Sequence, residues 1–146
     1  ALAGGNAVVL KPAEVTPLVS LALARICEEA GVPKGVLSVL PGKGSVIGDV
    51  LVRHPLVKKV SFTGGTEVGR GIARIAAEKL MPVSLELGGK TPAIIEPDAD
   101  LERAAAALVA SKTTHCGQLC TAIERVYVHD SVHDRFVALL KEKMAA

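Results

Sequence analysis

Apolar residues follow two alternating patterns along this chain. Short runs of valine, leucine and isoleucine, typical of strands buried on both faces of a parallel sheet, predict strands at residues 6–11, 36–40, 57–62, 83–87, 93–95 and 126–128. Between these runs, apolar residues recur with the period of an amphipathic helix. This second pattern predicts helices at residues 18–30, 46–51, 68–76, 101–113 and 132–144.

Several of the predicted helices begin at residues that favour helix starts. Thr16 and Ser45 precede the first two helices, where a side-chain oxygen can accept a hydrogen bond from an exposed backbone N–H. Pro17 suits the first helical position, and Asp100 leads into the Ala-rich helix. In the third helix, the apolar spacing predicts one core-facing row: Val68, Ile72, Ile75 and Ala76.

Strands that alternate with helices about every 20 to 25 residues indicate βαβ units. The predicted fold class is therefore α/β, a parallel Rossmann-like sheet with flanking helices. Ligands bind such sheets beyond the carboxyl ends of the strands, where this chain places its Gly-rich turns. The sequence changes character near Gly88, Gly89 and Lys90, which predicts a boundary between residues 1–88 and the start of a second α/β lobe at 89–146.

The composition narrows the classes of partner. With 146 residues, 49% of them hydrophobic, and a net charge of +2, the chain has the character of a globular domain with its own core. It contains no block of Lys and Arg, so we expect no nucleic-acid partner. No apolar run approaches the roughly 18 residues that span a bilayer, and no signal peptide is visible, so we expect no membrane partner.

The chain has three cysteines, Cys27, Cys116 and Cys120. A small, odd number of cysteines does not indicate a disulfide framework. This favours a reducing compartment, and we predict a cytoplasmic location. Cys116, Cys120 and the adjacent His115 could begin a metal site, but such sites need three or four converging ligands and no second cluster is visible. We therefore predict no metal, and we place Cys27 in the core.

The first candidate binding element is the stretch 63–69, Thr-Gly-Gly-Thr-Glu-Val-Gly, between a predicted strand and a helix. Glycines allow the backbone to approach a phosphate closely, and a helix N-terminus supplies N–H groups and partial positive charge. A plain strand-to-helix turn explains the same residues. Lys11 and Glu14 follow the first strand and could bond ribose hydroxyls, or they could be solvated surface charges; an acid there favours NAD over NADP.

Two further residues could carry chemistry. Glu86 closes an apolar strand beside two glycines, where partial desolvation would raise the pKa of its carboxyl and suit it to act as a general base. Cys120 follows a Gly-Gln turn, and a thiolate is a strong nucleophile where N–H groups or cations lie nearby. An ordinary strand-end charge and a buried structural cysteine remain the alternatives.

Taken together, these stretches resemble the aldehyde dehydrogenase superfamily. The resemblance rests on four motifs in the family's order: Val-Leu-Lys-Pro-Ala-Glu at 9–14, Phe-Thr-Gly-Gly-Thr at 62–66, Leu-Glu-Leu-Gly-Gly-Lys at 85–90 and Gly-Gln-Leu-Cys at 117–120. It implies that residues 1–88 belong to an NAD(P)-binding domain. It also implies that residues 89–146 begin the catalytic domain that carries the nucleophilic cysteine.

The resemblance also implies roles. Cys120 would attack an aldehyde, its own N–H would help to hold the oxyanion, and Glu86 would activate the water that hydrolyses the thioester. The cofactor would be NAD, with NADP as the alternative. Its adenosine ribose would be held by Lys11 and Glu14, and its other contacts would come from Gly44, Phe62, Thr63, Gly64, Gly65, Val68, Gly69 and Leu87.

The chain departs from the family in two ways. Many members have Ser where this chain has Gly65, which removes one hydroxyl contact to phosphate. Members are also several hundred residues long, and this chain begins at Ala1 in what resembles the middle of an element. We therefore expect it to be the central part of a longer polypeptide, which is a homo-oligomer when whole. We also expect this part alone to show little turnover, because the family's oxyanion-hole asparagine would lie before Ala1. Losing one such donor lowers the rate roughly 100- to 1,000-fold.

Two alternatives stay open. In a CoA-acylating relative, CoA rather than water would remove the acyl group, and the presence of Glu86 argues against it. A non-catalytic nucleotide-binding relative would need no nucleophile, and Cys120 argues against that.

Overall fold

The computed structural model describes residues 1–145. Its strands are β1 (Val8–Leu10), β2 (Leu37–Val39), β3 (Val60–Thr63), β4 (Val83–Glu86), β5 (Thr91–Ile95) and β6 (Ile123–Val128). Its α-helices are α1 (Leu18–Glu29), α2 (Asp49–Arg53), α3 (Thr66–Glu78), α4 (Leu101–Thr113) and α5 (His133–Ala145). A π-helical turn, Gly44–Gly48, precedes α2, and short 3₁₀ turns lie at Leu2–Gly4 and Asp130–Val132. Thr114–Gly117 forms a tight turn that is not helical throughout.

The strands pair in parallel, which confirms the predicted α/β class. β1 pairs with β2 in the register Val8 to Leu37, and β5 pairs with β6 from Thr91–Ile123 onward. β3 pairs with β4, and two bonds that flank this pair advance along both strands in the same direction: Val60 N–H donates to Pro82 O, and Gly64 N–H to Glu86 O. The result is three two-stranded parallel ladders.

The chain divides into two compact units. One comprises Ala1–Phe62 and Glu67–Leu85, and the other comprises Thr63–Thr66 and Glu86–Ala146. We call them the first and the second unit. The predicted assignment of residues 1–88 to a cofactor domain and 89–146 to a catalytic domain stays a prediction.

The core of the second unit lies where α4 and α5 pack on the β5–β6 pair. Its buried members are Ile95, Leu101, Ala105, Leu108, Val132 and Phe136. Phe136 is the largest fully buried side chain of the described residues. Asp100 caps α4 as predicted, since its side chain accepts a hydrogen bond from Arg103 N–H at 3.1 Å. Residues 101–113 are helical as predicted.

The core of the first unit is smaller and includes Val52, Ile75, Ala76 and Met81. The predicted core-facing row of α3 is wrong at Val68, which is 58% exposed, whereas Gly69 is buried. Ile75 and Ala76 are buried and Ile72 is half-buried, as the predicted row requires. Val68 differs because it lies in the first turn of α3, where it is exposed.

Several predicted boundaries also shift. Thr16 and Ser45 do not cap the first two helices, because neither helix start receives a side-chain bond. β3 begins at Val60 and not at residue 57, because Val57 N–H bonds back to His54 O in a turn. β6 begins at residue 123, three positions before the prediction. The charged residues at 124 and 125 obscure the strand pattern there.

Lys79 joins α3 to the end of α2 within the first unit. Its ammonium donates to three backbone carbonyls, those of Val52 at 3.0 Å, His54 at 2.8 Å and Val57 at 3.3 Å. The carbonyls at a helix C-terminus lack partners within the helix and carry partial negative charge. One cation therefore satisfies the end of α2 and fixes the turn that leads to β3.

We expect Lys79→Met to lower the free energy of unfolding by about 1 to 3 kcal/mol, because partly buried carbonyls lose a charged donor. Lys58→Met is the matched control. Lys58 donates to one exposed carbonyl three residues away, so its removal should change stability by less than about 0.5 kcal/mol. Urea unfolding of both variants would measure this, and equal midpoints would contradict the role given to Lys79.

Candidate active site

The turn between β3 and α3 begins the candidate site. Residues 63–66 are exposed, and Gly64 N–H donates to Glu86 O at 3.0 Å, which ties the turn to the end of β4. A side chain added at Gly65 would meet no atom within 4 Å, and Gly65 does not have a positive φ. Neither crowding nor backbone conformation thus requires glycine at Gly65.

The segment that follows β4 connects this turn to the cysteine loop within the second unit. A Cβ added at Gly88 would lie 3.9 Å from Thr66 Oγ1, and one added at Gly89 would lie 3.7 Å from Cys120 O. Glu86 precedes Gly89 by three residues, a path of at most about 11 Å. The structure therefore brings Glu86, the turn at 63–66 and Cys120 into one region of the second unit.

Cys120 lies on a sharply turned loop after α4. His115, Cys116 and Gly117 have φ values of 49°, 58° and 75°, so three consecutive residues adopt left-handed conformations. A Cβ at Gly117 would lie 2.9 Å from Lys112 O, so glycine is needed there for both conformation and space. Two left-handed residues that are not glycine store strain, which is typical of functional loops. The loop leaves Cys120 exposed.

The second unit holds this loop through polar contacts. Thr91 Oγ1 donates to Cys120 O at 3.2 Å. Glu124 accepts from Lys112 Nζ at 2.6 Å and from Lys90 Nζ at 3.2 Å. The hydrogen bond from Lys112, followed by that from Lys90, lowers the pKa of the Glu124 carboxyl.

The predicted cofactor residues divide between the two units. In the first unit, Lys11 Nζ donates to Pro12 O at 2.6 Å, and a Cβ at Gly44 would lie 3.7 Å from Lys11 Cε. The structure therefore makes Lys11 and Gly44 neighbours although 33 positions (44 − 11) separate them. Glu14, three residues after Lys11, is exposed.

The other predicted cofactor residues differ in exposure. Phe62 is half-buried, Val68 is exposed and Gly69 is buried within α3. In the second unit, Leu87 is half-buried, and Thr63, Gly64 and Gly65 are exposed. The roles assigned to these residues stay predictions.

One expectation about Glu86 is wrong. The residue is exposed at the end of β4 and not partly covered there. Two open depressions lie elsewhere: one of about 340 Å³ between the start of α4 and α5, and one of about 330 Å³ between α1 and β2. Neither is lined by a residue that the sequence singles out for catalysis or cofactor binding.

Sequence reasoning missed the residues that hold the loop, namely Thr91, Lys112, Glu124 and Arg125. Each is an ordinary polar residue in sequence, and the tertiary contacts of β5, β6 and α4 bring them to the segments around Cys120. Over residues 1–145, no cysteine is disulfide-bonded and no group of three or more His, Cys, Asp or Glu could hold a metal ion. Within the same span, no helix combines the length and the apolar character needed to cross a membrane.

Comparison with known proteins identifies the family to which this chain belongs. Residues 1–146 match the aldehyde dehydrogenase family. A 3,6-anhydro-alpha-L-galactose dehydrogenase of Streptomyces coelicolor is 51% identical over 146 residues, which are 100% of this chain and 30% of that protein. The chain thus spans less than a third of the length of this curated relative.

Solved structures agree. A 3,6-anhydro-L-galactose dehydrogenase in complex with NAP matches 97% of this chain and 30% of its own, at 46% identity and a TM-score of 0.92. An indole-3-acetaldehyde dehydrogenase complexed with NAD+ matches 97% of this chain and 29% of its own, at 41% identity and a TM-score of 0.93.

The loop geometry makes one prediction. Gly117→Ala should destabilise the protein by about 1 to 2 kcal/mol, because alanine must adopt a left-handed φ and its Cβ meets Lys112 O. Gly48→Ala is the control, since Gly48 has φ −62° and open space, and alanine should there be neutral or stabilising. Thermal unfolding would compare the two, and equal shifts would contradict the strain at Gly117.

Proposed function

Because the chain belongs to the aldehyde dehydrogenase family, we propose that the protein containing it oxidises an aldehyde to a carboxylic acid with NAD(P), through a thioester on Cys120. One observation carries the proposal. The segment from Glu86 to Thr91 touches the Cys120 backbone at two points, Gly89 and the Thr91 hydroxyl. The candidate nucleophile, Cys120, and the candidate base, Glu86, thus lie on two segments that contact each other.

In the proposed mechanism, the Cys120 thiol loses its proton and Sγ adds to the aldehyde carbonyl carbon, which gives a tetrahedral oxyanion. The backbone N–H of Cys120 donates to that oxyanion. NAD(P)+ supplies the hydride acceptor, and departure of the hydride leaves an acyl thioester on Sγ. Glu86 then takes a proton from water, whose oxygen attacks the thioester and releases the carboxylic acid and the thiolate.

The exposed turn at 63–66 fits a pyrophosphate. It opens α3, whose first N–H groups have no partners within the helix and carry partial positive charge. The space around Gly65 is open, so a ligand can approach its backbone. We propose that Gly64 and Gly65 meet the pyrophosphate, with Val68 near the adenine.

The remaining cofactor roles follow the family. Lys11 and Glu14 would hold the adenosine ribose, with Gly44, the neighbour of Lys11, beside them. Thr63 and the backbone of Leu87 would face the nicotinamide, and Phe62 and Gly69 would shape the surroundings. Relatives were solved with NAP and with NAD+, and the exposed acid at Glu14 favours NAD in this chain.

The wider setting is also proposed. The substrate is a small-molecule aldehyde, and the whole protein is a homo-oligomer. Cys27, Cys116 and Cys120 carry no disulfide in the described part of the chain, and a reducing, cytoplasmic setting is proposed on that pattern.

Cys120→Ala in the complete protein should lower kcat at least about 1,000-fold, because removal of a nucleophile abolishes the covalent route. Cys116→Ser, four residues earlier in the same loop, should keep kcat within about threefold. NADH or NADPH formation with a simple aldehyde measures both. Retained activity in Cys120→Ala would overturn the thioester mechanism.

Glu86→Gln should separate the two halves of the reaction. Acylation should still release about one equivalent of reduced cofactor per site, after which turnover should slow about 100- to 10,000-fold for lack of a general base. Glu96→Gln, at an exposed position directly after β5, is the matched control and should turn over normally. Stopped-flow absorbance would show the burst, and its absence with unchanged turnover would remove Glu86 from the mechanism. Rescue by added CoA in place of water would instead favour a CoA-acylating enzyme.

A further inference from the structure

Glu124 lies at the start of β6, four residues after Cys120, and joins two separate segments by its two carboxylate oxygens. Oε1 accepts from Lys112 Nζ at 2.6 Å, and Oε2 accepts from Lys90 Nζ at 3.2 Å. Lys112 lies near the end of α4, before the cysteine loop, and Lys90 lies after the β4 glycines. One side chain thus connects the segment that carries Glu86 with the helix that leads into the nucleophile loop.

The Lys112 side chain supports the loop directly. A Cβ at Gly117 would lie 3.6 Å from Lys112 Cε and 3.7 Å from its Nζ, besides the close approach to its carbonyl. Gly117 therefore lies against the part of the lysine that Glu124 holds. A change in the position of the Lys112 ammonium would therefore alter the surroundings of Gly117, three residues before Cys120.

Lys90 is held at both ends. Its ammonium pairs with Glu124, and its carbonyl accepts from Arg125 Nη2 at 2.6 Å and Nε at 3.1 Å. Its neighbour Thr91 donates to Cys120 O, and a Cβ added at its other neighbour, Gly89, would lie 3.7 Å from the same atom. The contacts of Lys90 with β6 therefore lie next to the contacts that hold the Cys120 backbone.

We infer that Glu124 is a positioning residue, which holds Lys90 and Lys112 together and so fixes the Cys120 loop against the segment that carries Glu86. The inference rests on the proposed function. Glu124 touches no reacting atom in this scheme; it acts through the two lysines. The charged groups that face it are Lys112 from α4 and Lys90 from the segment between β4 and β5.

We estimate the loss of rate on removing Glu124 from the displacement of reacting groups and not from the energy of its ion pairs. Exposed ion pairs contribute little to global stability, and the Lys90 side chain is 71% exposed. Misplacement of a reacting group by about 1 Å can cost up to roughly 100-fold in rate. Loss of Glu124 should therefore affect turnover far more than the melting temperature.

The test is Glu124→Gln in the complete protein. We expect kcat to fall about tenfold, the rate of Cys120 alkylation by iodoacetamide without cofactor to change at least about threefold, and the Kd for NAD to stay within about twofold. The melting temperature should move by less than about 4 °C. Lys112→Gln is the second variant, and the double variant should be no slower than the slower single variant, because both act through one pair.

Glu102→Gln is the matched control. Glu102 pairs with Lys143 at 2.7 Å between α4 and α5 in the same unit, and its loss should leave both rates within about twofold. A Glu124→Gln enzyme with wild-type kcat and alkylation rate would overturn the inference, as would multiplicative losses in the double variant. If Cys120→Ala is inactive while Glu124→Gln is unaffected, only the positioning role fails; an active Cys120→Ala enzyme would refute the proposed function itself.

Discussion

The candidate site depends on the carbonyl of Cys120. The hydroxyl of Thr91 donates to it, and Gly89 lies nearby, since a Cβ added there would be 3.7 Å from Cys120 O. Thr91 begins β5, which pairs with β6 immediately after the cysteine loop. The loop is therefore held at its end by a strand pair that forms the core of the second unit. A net hydrogen bond is worth only about 1 kcal/mol, so the precision comes from several short contacts on one rigid pair.

The glycines around the site serve different ends. Gly117 permits a left-handed turn directly beside Lys112 O, so the fold itself requires glycine there. Gly65 differs, since its surroundings are open and its φ is not positive. Its backbone lies open beside a helix N-terminus, a position that suits an anion.

The sequence predicted best where the local signal and the tertiary structure agree. The helix at 101–113 has an aspartate cap and a buried row, and both appear in the structure. Prediction failed where local signals compete with contacts. Val57 has the character of a strand residue but bonds to His54 in a turn. Val68 fits the period of α3 but is exposed in its first turn, and Gly69 is buried although it has no apolar side chain to indicate this.

The sequence predicted which residues belong to the site but not how they are arranged in space. Four short motifs singled out Glu86, Cys120 and the turn at 63–66, because motifs are local in sequence. The pair of Lys90 with Glu124 spans 34 positions and has no local signature, so only the parallel β5–β6 register reveals it.

Exposure of the site residues carries the final consequence. Acyl transfer and hydride transfer are favoured where water is excluded, yet Glu86 and Cys120 are both exposed. In the proposed reaction, desolvation must therefore come from what binds over these residues. Under that condition the fold has one task at this site, which is to fix the directions of the thiol and the carboxylate before they are covered. The strained turn at His115 and Cys116, the glycine contacts and the Glu124 ion pairs all serve that task.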